Sequence, residues 1–344
     1  MIRKIPDFWR RDAGPSGRLL SRLLAPLGAL YGAATLRRMA RRGWRAPVPV
    51  ISIGNATLGG AGKTPTAIAL ATAFIARGEK PVFITRGYGG QEKGPLLVQP
   101  ADHAAGDVGD EALLLAQVAP TIVARDRAAG ARLATAQGAS LILLDDALQN
   151  PALQKDFSLC VVDAAFGFGN RASVPAGPLR APLAGMLPAI DAFLIIGDDR
   201  SGLSAELSRL KPVFAGRIAP ATDMPELLGK KVVAYSGIAL PEKFEASLAQ
   251  IGAEIVASRR FGDHHVFGAR DAQALLALAH THQATLVTTG KDFVRLAGDP
   301  ALEELAAAST ILPVRLVGAE ALAGEIYRAL LSVRSRMSTA SGPA

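Results

Sequence analysis

From residue 48 onward, short β-type apolar runs alternate with stretches whose apolar residues recur at three- and four-residue steps. VPVISI (48–53), PVFIT (81–85), TIVA (121–124), SLILL (140–144), FSLCVVD (157–163) and AFLIIGD (192–198) read as strands. Thr64–Arg77, Asp110–Val118 and Asp126–Gln137 read as helices between them. This alternation predicts an α/β fold, a parallel sheet flanked by helices. A second α/β region begins near KKVVAYSGI (230–238). It continues through a helix at Phe244–Ile251, a strand at EIVAS, a helix at Asp271–His280 and the strand TLVTT (285–289).

Length fits this division, since 344 residues exceed what one compact core usually holds. The proline-bearing stretch around 200–230 is the expected boundary. The expected segments are therefore a first domain over 47–225 and a smaller C-terminal α/β domain over 226–334. A helix at Ala319–Leu331 is placed to pack back on the first domain. The polar tail, residues 335–344, is expected to be disordered.

The first 46 residues differ from all of this. Leu20, Leu23, Leu24, Leu27, Leu30 and Tyr31 share one helical face, interrupted by Arg18 and Arg22 and by Pro26, which should kink it. Eleven Arg and Lys stand here against two Asp, a net +9, so the remaining 298 residues sum to −1. No uninterrupted apolar span reaches the ~20 residues of a crossing helix. The pattern predicts a basic amphipathic membrane-associating segment, its leucines at the acyl boundary and its arginines among anionic headgroups. The plainer alternative is a helix packed on the protein's own core. Aromatic content of 5% argues against a stacking surface for nucleic acid. The single cysteine, Cys160, excludes a disulfide and reads as a buried core residue.

Candidate chemistry begins with GNATLGGAGKTP (54–65). A strand, a Gly-rich turn, Gly62-Lys63-Thr64 and a helix form the context of a phosphate-binding loop, here Thr57, Leu58, Gly59, Gly60, Ala61, Gly62, Lys63 and Thr64. Backbone N–H groups and the helix N-terminus would cradle phosphate, Lys63 would reach the β- and γ-phosphates, and Thr64 would offer its hydroxyl to Mg²⁺. Thr57 stands where the strict motif has Gly. Asp145 and Asp146 end an apolar strand, at the edge where open α/β sheets bind ligands, and could hold the metal. TTGKD (288–292) does not match a guanine-recognition motif, so ATP is the expected nucleotide. Asp110 and Glu111 open a helix, either as plain dipole partners or with Asp110 accepting a proton. Asp263, His264 and His265 form a second acid–base cluster, too small alone for a zinc site.

Together these stretches resemble the tetraacyldisaccharide 4′-kinases, the lipid A disaccharide kinases of Gram-negative bacteria. The resemblance runs from about Trp9 to Leu331. It rests on GNATLGGAGKTP, TRGYGG, VGDEALLLA, ARDRAAGA, LLDDALQN, VDAAFGFGNRASVPAGPLRAPL, SGIALPEKF, FGDHHVF and TTGKDFVRL. It implies a P-loop kinase fold with a smaller C-terminal α/β domain and an N-terminal membrane helix. It implies ATP and Mg²⁺ as cofactors, lipid A disaccharide as substrate, and a place on the cytoplasmic face of the bacterial inner membrane. No nucleic acid or obligate protein partner is implied. By the same resemblance Asp110 is the catalytic base and His264 its partner, with Lys63 and Thr64 on phosphate and metal and Asp145 and Asp146 near the metal. Arg127 then offsets charge, and Glu111 and Gln149 are further site residues. Thr57 is common in the family. Ala147 and Leu148 replace its usual Gly and aromatic or Met, and Gly290 its usual Glu. The competing expectation is a membrane-recruited P-loop ATPase switch, which leaves the DHH and PAGPLR stretches unexplained.

Overall fold

The computed structural model describes residues 6–221 and 224–340. Its elements, in chain order, are α1 (Pro15–Met39), β1 (Val50–Gly54), α2 (Lys63–Ile75), β2 (Pro81–Thr85), β3 (Leu96–Leu97), α3 (Ala105–Val108), α4 (Asp110–Ala116), β4 (Thr121–Val123), α5 (Arg127–Ala136), β5 (Leu141–Asp145) and β6 (Phe157–Asp163). Next come α6 (Leu183–Met186), β7 (Ala192–Ile196), α7 (Leu203–Leu207), β8 (Val213–Pro220), β9 (Lys231–Ser236), α8 (Pro241–Gln250), β10 (Glu254–Arg260) and α9 (Ala269–His282). The chain ends with β11 (Thr285–Thr289), α10 (Gly290–Phe293), α11 (Glu303–Ala308), β12 (Ser309–Leu312), β13 (Val314–Val317) and α12 (Ala319–Ala340).

Nine strands form the large sheet, in the order β13-β8-β7-β6-β1-β5-β2-β4-β3, parallel except for the antiparallel pairs β13–β8 and β3–β4. Its central strands are unbroken apolar runs because both faces are covered. Ile51, Ile53, Leu159 and Val161 pack under α2 and α12, while Cys160, Val162, Phe193 and Ile195 face a second cluster. Burial pushes the Cys160 thiol up to about 12, so it is an inert core residue. The small sheet has the all-parallel order β10-β9-β11-β12.

The chain returns from the small sheet to the large one. Immediately after Pro313, β13 pairs with β8, and the two passages are tied where Ala221 N donates to Pro313 O at 2.8 Å. On α12, Leu322, Ile326, Leu330 and Val333 recur at steps of four, four and three and are buried against α2. Each leucine or isoleucine so buried contributes about 1.5–3 kcal/mol.

Three expectations need correction. The stretch 200–230 is not simply a linker, because β8 lies inside it; flanking prolines and the central Gly216 obscure its pattern. Residues 226–334 do not all belong to the small unit, because β13 joins the large sheet, and α12 packs back on the large unit as expected of the helix at Ala319–Leu331. The segment expected to be disordered from 335 is helical to Ala340, and residues 341–344 lie outside the described residues. α1 runs as one helix through Pro26.

The N-terminal helix is docked through Gly28, Gly32 and Thr35 and, near its end, Leu36 and Met39, and presents six other large apolar residues outward. Gly28, Gly32 and Thr35 are buried, whereas Leu23 and Leu30 are each 70% exposed and Leu19, Leu20, Leu27 and Tyr31 are also exposed. A helix packed on its own core would do the reverse. It is the helix among the described residues that is long and apolar enough to cross a membrane by length and composition.

Candidate functional site

The phosphate loop lies between the end of β1 and the start of α2, at the switch point where the chain leaves β1 with β5 on one side and β6 on the other. The loop is splinted from two directions. Leu58 N donates to Pro178 O at 2.8 Å, Arg180 N to Ala56 O at 2.8 Å, and Arg180 Nε to Thr57 O at 3.2 Å. From the other side, Gln149 Nε2 donates to Asn55 O at 2.9 Å. Gln149 is thus a loop support, buried beneath it. Gly62 caps the helix with φ +86°, and the first amide to bond back along the helix is Thr66 N, to Gly62 O. The preceding turn contains Pro65, which has no N–H to orphan. Lys63 and Thr64 are half-buried at the helix start.

Asp145 and Asp146 stand at the end of β5. Asp146 has φ +48° and accepts from Arg180 Nη2 at 2.9 Å, with Lys63 Nζ 3.8 Å from its other oxygen. Although burial opposes it, Lys63 and Arg180 hold the Asp146 carboxyl below its usual range. Asp145 is the opposite case. Burial, then the neighbouring charges of Glu111 and Asp146, push its carboxyl up to about 7. The Oδ1 atoms of both aspartates are buried without a hydrogen-bond partner. Two carboxylate oxygens without hydrogen bonds, one of them 3.8 Å from Lys63 Nζ, fit a hard divalent cation bound together with phosphate. Among the described residues there is no cluster of three or more His, Cys, Asp or Glu that would hold a metal unaided. A P-loop Mg²⁺ does not need one, since substrate oxygens and water supply most of its shell. Arg127 is buried against this pair, its guanidinium donating to Ala124 O and, at 3.5 Å, to Asp145 O. Burial, with no full set of partners, pulls it down to about 10.

The second half of the site is assembled across the cleft. Gly109 holds φ +87°, and a side chain there would meet Tyr88 O at 2.4 Å. This places Asp110 as the first residue of α4, 3% exposed and aimed at the small sheet. Facing it, His264 has φ +57° and sets Nδ1 3.1 Å from Asp110 Oδ2. Arg295 donates to the same oxygen through Nε at 2.8 Å and through Nη2. Lys291 Nζ lies 3.3 Å from Glu111 Oε1 and 3.3 Å from His264 Nε2. Burial opposes ionisation of Asp110, but the His264 hydrogen bond and the charges of Lys291 and Arg295 hold its carboxyl far below the usual range. Every acid in these pairs sits on the large sheet's side and every base on the small one's. Lys243 and Asp163 repeat the pattern farther along.

The adjacent histidines thus part company. His264 turns to Asp110, whereas His265 pairs with Asp271 at 2.9 Å and stacks on Phe261 within its own unit. The structure therefore brings Asp110, Glu111 and His264 together across the cleft, and sets Lys63 against Asp146, next to Asp145, with Thr64 beside Lys63 at the start of α2. Sequence reasoning missed Arg180, Lys291, Arg295 and Asp292. The quoted PAGPLR and TTGKDFVRL stretches contain all four, and their specificity was the available signal.

A family model described as tetraacyldisaccharide-1-P 4′-kinase matches residues 20–331. The chain belongs to that family. Among similar proteins, the tetraacyldisaccharide 4′-kinase of Methylobacterium sp. (strain 4-46) is 54% identical over 317 residues, 91% of this chain and 92% of that one. The tetraacyldisaccharide 4′-kinase of Paramagnetospirillum magneticum is 52% identical over 299 residues, covering 86% and 90%. The fold is similar to that of LpxK from Aquifex aeolicus, solved in complex with ATP, with a TM-score of 0.67 and 23% identity over 90% of this chain and 99% of that one. For a tetraacyldisaccharide 4′-kinase, Ala147 and Leu148 are unusual. Both are buried, Ala147 in the cluster with Ile142 and Leu144 of β5 and Leu148 in the one with Cys160 and Val162 of β6. Gly290 opens α10, and a Cβ added there would make only ordinary contacts, 3.5 Å from Leu114 Cδ2.

Proposed function

We propose that this protein is an ATP-dependent kinase that transfers the γ-phosphate to the 4′-hydroxyl of the lipid A disaccharide, tetraacyldisaccharide 1-phosphate, giving lipid IVA. The observation that carries the reading is the Asp110–His264 pair, built from two units, on a chain whose phosphate-loop Lys63 is paired with Asp146; Glu111, next to Asp110, acts electrostatically on Asp145, next to Asp146. A P-loop ATPase with no acceptor has no use for such a pair.

In this reading the loop 57–64 and Lys63 hold the β- and γ-phosphates, while Thr64, Asp145 and Asp146 would hold Mg²⁺. Bound Mg²⁺ would offset charge on the phosphate oxygens. Arg127 acts through Asp145, as a positioning residue. Asp110 receives the hydroxyl of the sugar as a hydrogen-bond donor and takes its proton as the new P–O bond forms, while the bond from the γ-phosphorus to the bridging oxygen breaks and ADP leaves. Phosphoryl transfer is largely dissociative, so the proton leaves late and orientation counts for more than basicity. A strongly acidic but rigidly held carboxylate suits that task. His264 fixes the carboxylate, and Lys291 keeps a positive charge beside the histidine. Glu111 pairs with Lys291 at 3.3 Å and so holds that lysine beside His264.

The exposed leucines of α1, between clusters of arginines, support attachment to the cytoplasmic face of the bacterial inner membrane, where an acylated disaccharide is within reach. Purified protein, γ-labelled ATP, Mg²⁺ and lipid A disaccharide in detergent micelles test the function. The expected result is label in the lipid fraction, abolished by Lys63→Ala. Free phosphate with no labelled lipid would contradict the reading and favour an ATPase switch.

A further inference from the structure

We infer that Arg295 is a positioning residue of the transfer reaction: one buried guanidinium fixes both halves of the Asp110–His264 pair. The inference rests on the reading that Asp110 receives the acceptor proton.

The geometry leaves this side chain no freedom. Arg295 is 6% exposed, and all three of its nitrogens are engaged. Nε and Nη2 donate to Asp110 Oδ2, across the cleft. Nη1 donates to Gly237 O at 2.9 Å and to Asp292 Oδ1 at 2.7 Å. Asp292 is itself locked, because its Oδ1 accepts from Gly237 N at 2.9 Å and its Oδ2 from Thr289 Oγ1 at 2.7 Å. The Gly237 carbonyl also accepts from His264 N at 3.1 Å. Arg295 therefore grips the acid directly and the histidine through one shared carbonyl. A planar fork with several donors can make these contacts at once, which a point charge cannot.

The same contacts set the electrostatics at Asp110. The groups facing it from the small unit are Arg295, Lys291 and His264. Around them stand Glu111 against Lys291, Asp263 Oδ2 at 3.8 Å from His264 Nε2, Asp292 against Arg295, and the Tyr88 ring on His264. Removing Arg295 takes a cation from a buried carboxylate, so the Asp110 pKa rises. The acid limb of kcat, which requires ionised Asp110, then moves to higher pH. A purely structural ion pair would lower thermal stability and leave that limb in place.

Lipid phosphorylation by the full chain, measured against pH, tests this in Arg295→Gln, Arg295→Lys, Asp110→Asn and the double variant Asp292→Asn/Arg295→Gln. Arg295→Gln is expected to lower kcat about 100-fold, with KM for ATP changed less than about threefold. Its acid limb should rise by about one unit or more. Arg295→Lys should restore the position of the limb but only part of kcat. The double variant removes the unpaired buried Asp292 and should show the same shift, which covers the case where Arg295→Gln does not fold. An unmoved acid limb in the folded variants, with loss of rate tracking loss of melting temperature, overturns the inference. If Asp110→Asn is inactive in that case, only the role of Arg295 falls. If Asp110→Asn is fully active, the assignment of Asp110 falls and takes this inference with it.

Discussion

His264 Nδ1 lies 3.1 Å from Asp110 Oδ2, although the two residues are 154 positions apart and stand on units with separate sheets. The pair therefore depends on the apposition of the two units, which the chain also ties together where Ala221 N donates to Pro313 O.

Replacing either partner should separate chemistry from nucleotide binding. Asp110→Asn keeps the shape of the side chain and removes its capacity to take a proton. Its kcat for lipid phosphorylation should fall about 10²–10⁴-fold, the usual weight of a positioned acid–base group. KM for ATP should change little, because no contact of Asp110 reaches the phosphate loop. His264→Ala should behave similarly, whereas His265→Ala should spare kcat and lower thermal stability, since His265 serves Asp271, the Phe261 stack and the Phe267 ring within its own unit. Steady-state kinetics on the two histidine variants check the contrast; equal losses at both positions would remove the distinction.

Arg180→Met should have the opposite signature. Arg180 links the acidic pair to the phosphate loop, through Asp146 Oδ2 at 2.9 Å and Thr57 O at 3.2 Å. Its loss strands a buried carboxylate and a loop carbonyl. Charge-assisted hydrogen bonds of this kind are worth about 1.5–3 kcal/mol each, so apparent ATP affinity should weaken about ten- to a hundredfold. Titration of ATP at fixed Mg²⁺ measures this. Unchanged affinity would mean that the 175–180 backbone holds the loop without the side chain.

The difference between these two halves explains what could be read from the chain. The phosphate loop is local: strand, turn, lysine and helix follow within sixteen residues, and each has its own signature. β5 announces Asp145 and Asp146 in the same way. Lys291 and Arg295 carry no such mark, because a charged residue in a short helix is ordinarily solvated. What makes them part of the site is the apposition of two sheets, and no pattern along the chain encodes that. β8 and β13 were obscure for another reason. They lie at the edge of the large sheet, half-exposed and proline-flanked, so neither alternation nor an apolar run stands out. The departures at Ala147 and Leu148 looked functional beside the aspartates, but burial makes them packing residues.

The C-terminal helix provides a pH test of stability away from the site. Arg334 donates from both Nη atoms to the Glu79 carboxylate, at 2.6 Å each, and Ser140 Oγ donates to the same group at 2.6 Å. The Arg334 hydrogen bond, against the opposing effect of burial, holds Glu79 below its ordinary 4.5. A depressed folded pKa means that the unfolded chain binds the extra proton as pH falls. The stabilisation is therefore fully present above pH 4.5 and is lost as pH falls through the folded value. Arg334→Met should cost about 1–2 kcal/mol at pH 7, at the lower end because Arg334 is partly exposed. The difference in melting temperature from wild type should shrink below pH 4.5. A constant difference across that range would show that packing of α12, rather than the ion pair, is what the substitution disturbs.

Membrane attachment and helix docking should be separable on α1, because they use opposite faces. Leu23→Glu/Leu30→Glu changes only the exposed face. Losing two leucines from an apolar contact worth about 1.5–3 kcal/mol each should weaken binding to anionic vesicles about 100-fold or more, with activity in detergent micelles retained. Gly32→Val changes only the docked face. A Cβ at position 32 lies 2.7 Å from Pro182 Cδ and 3.1 Å from Ser173 Oγ, so the larger side chain must push α1 off the loop that carries Arg180. Vesicle binding should then persist, because the leucines are untouched, while lipid phosphorylation falls at least about tenfold even in micelles through disturbance of Arg180 and Asp146. Co-sedimentation with vesicles and the micelle assay, run on both variants, give four numbers. Parallel loss of binding and activity in both would mean that α1 is only an anchor. Activity lost without binding in Gly32→Val alone would make the helix a structural part of the site it delivers to the membrane.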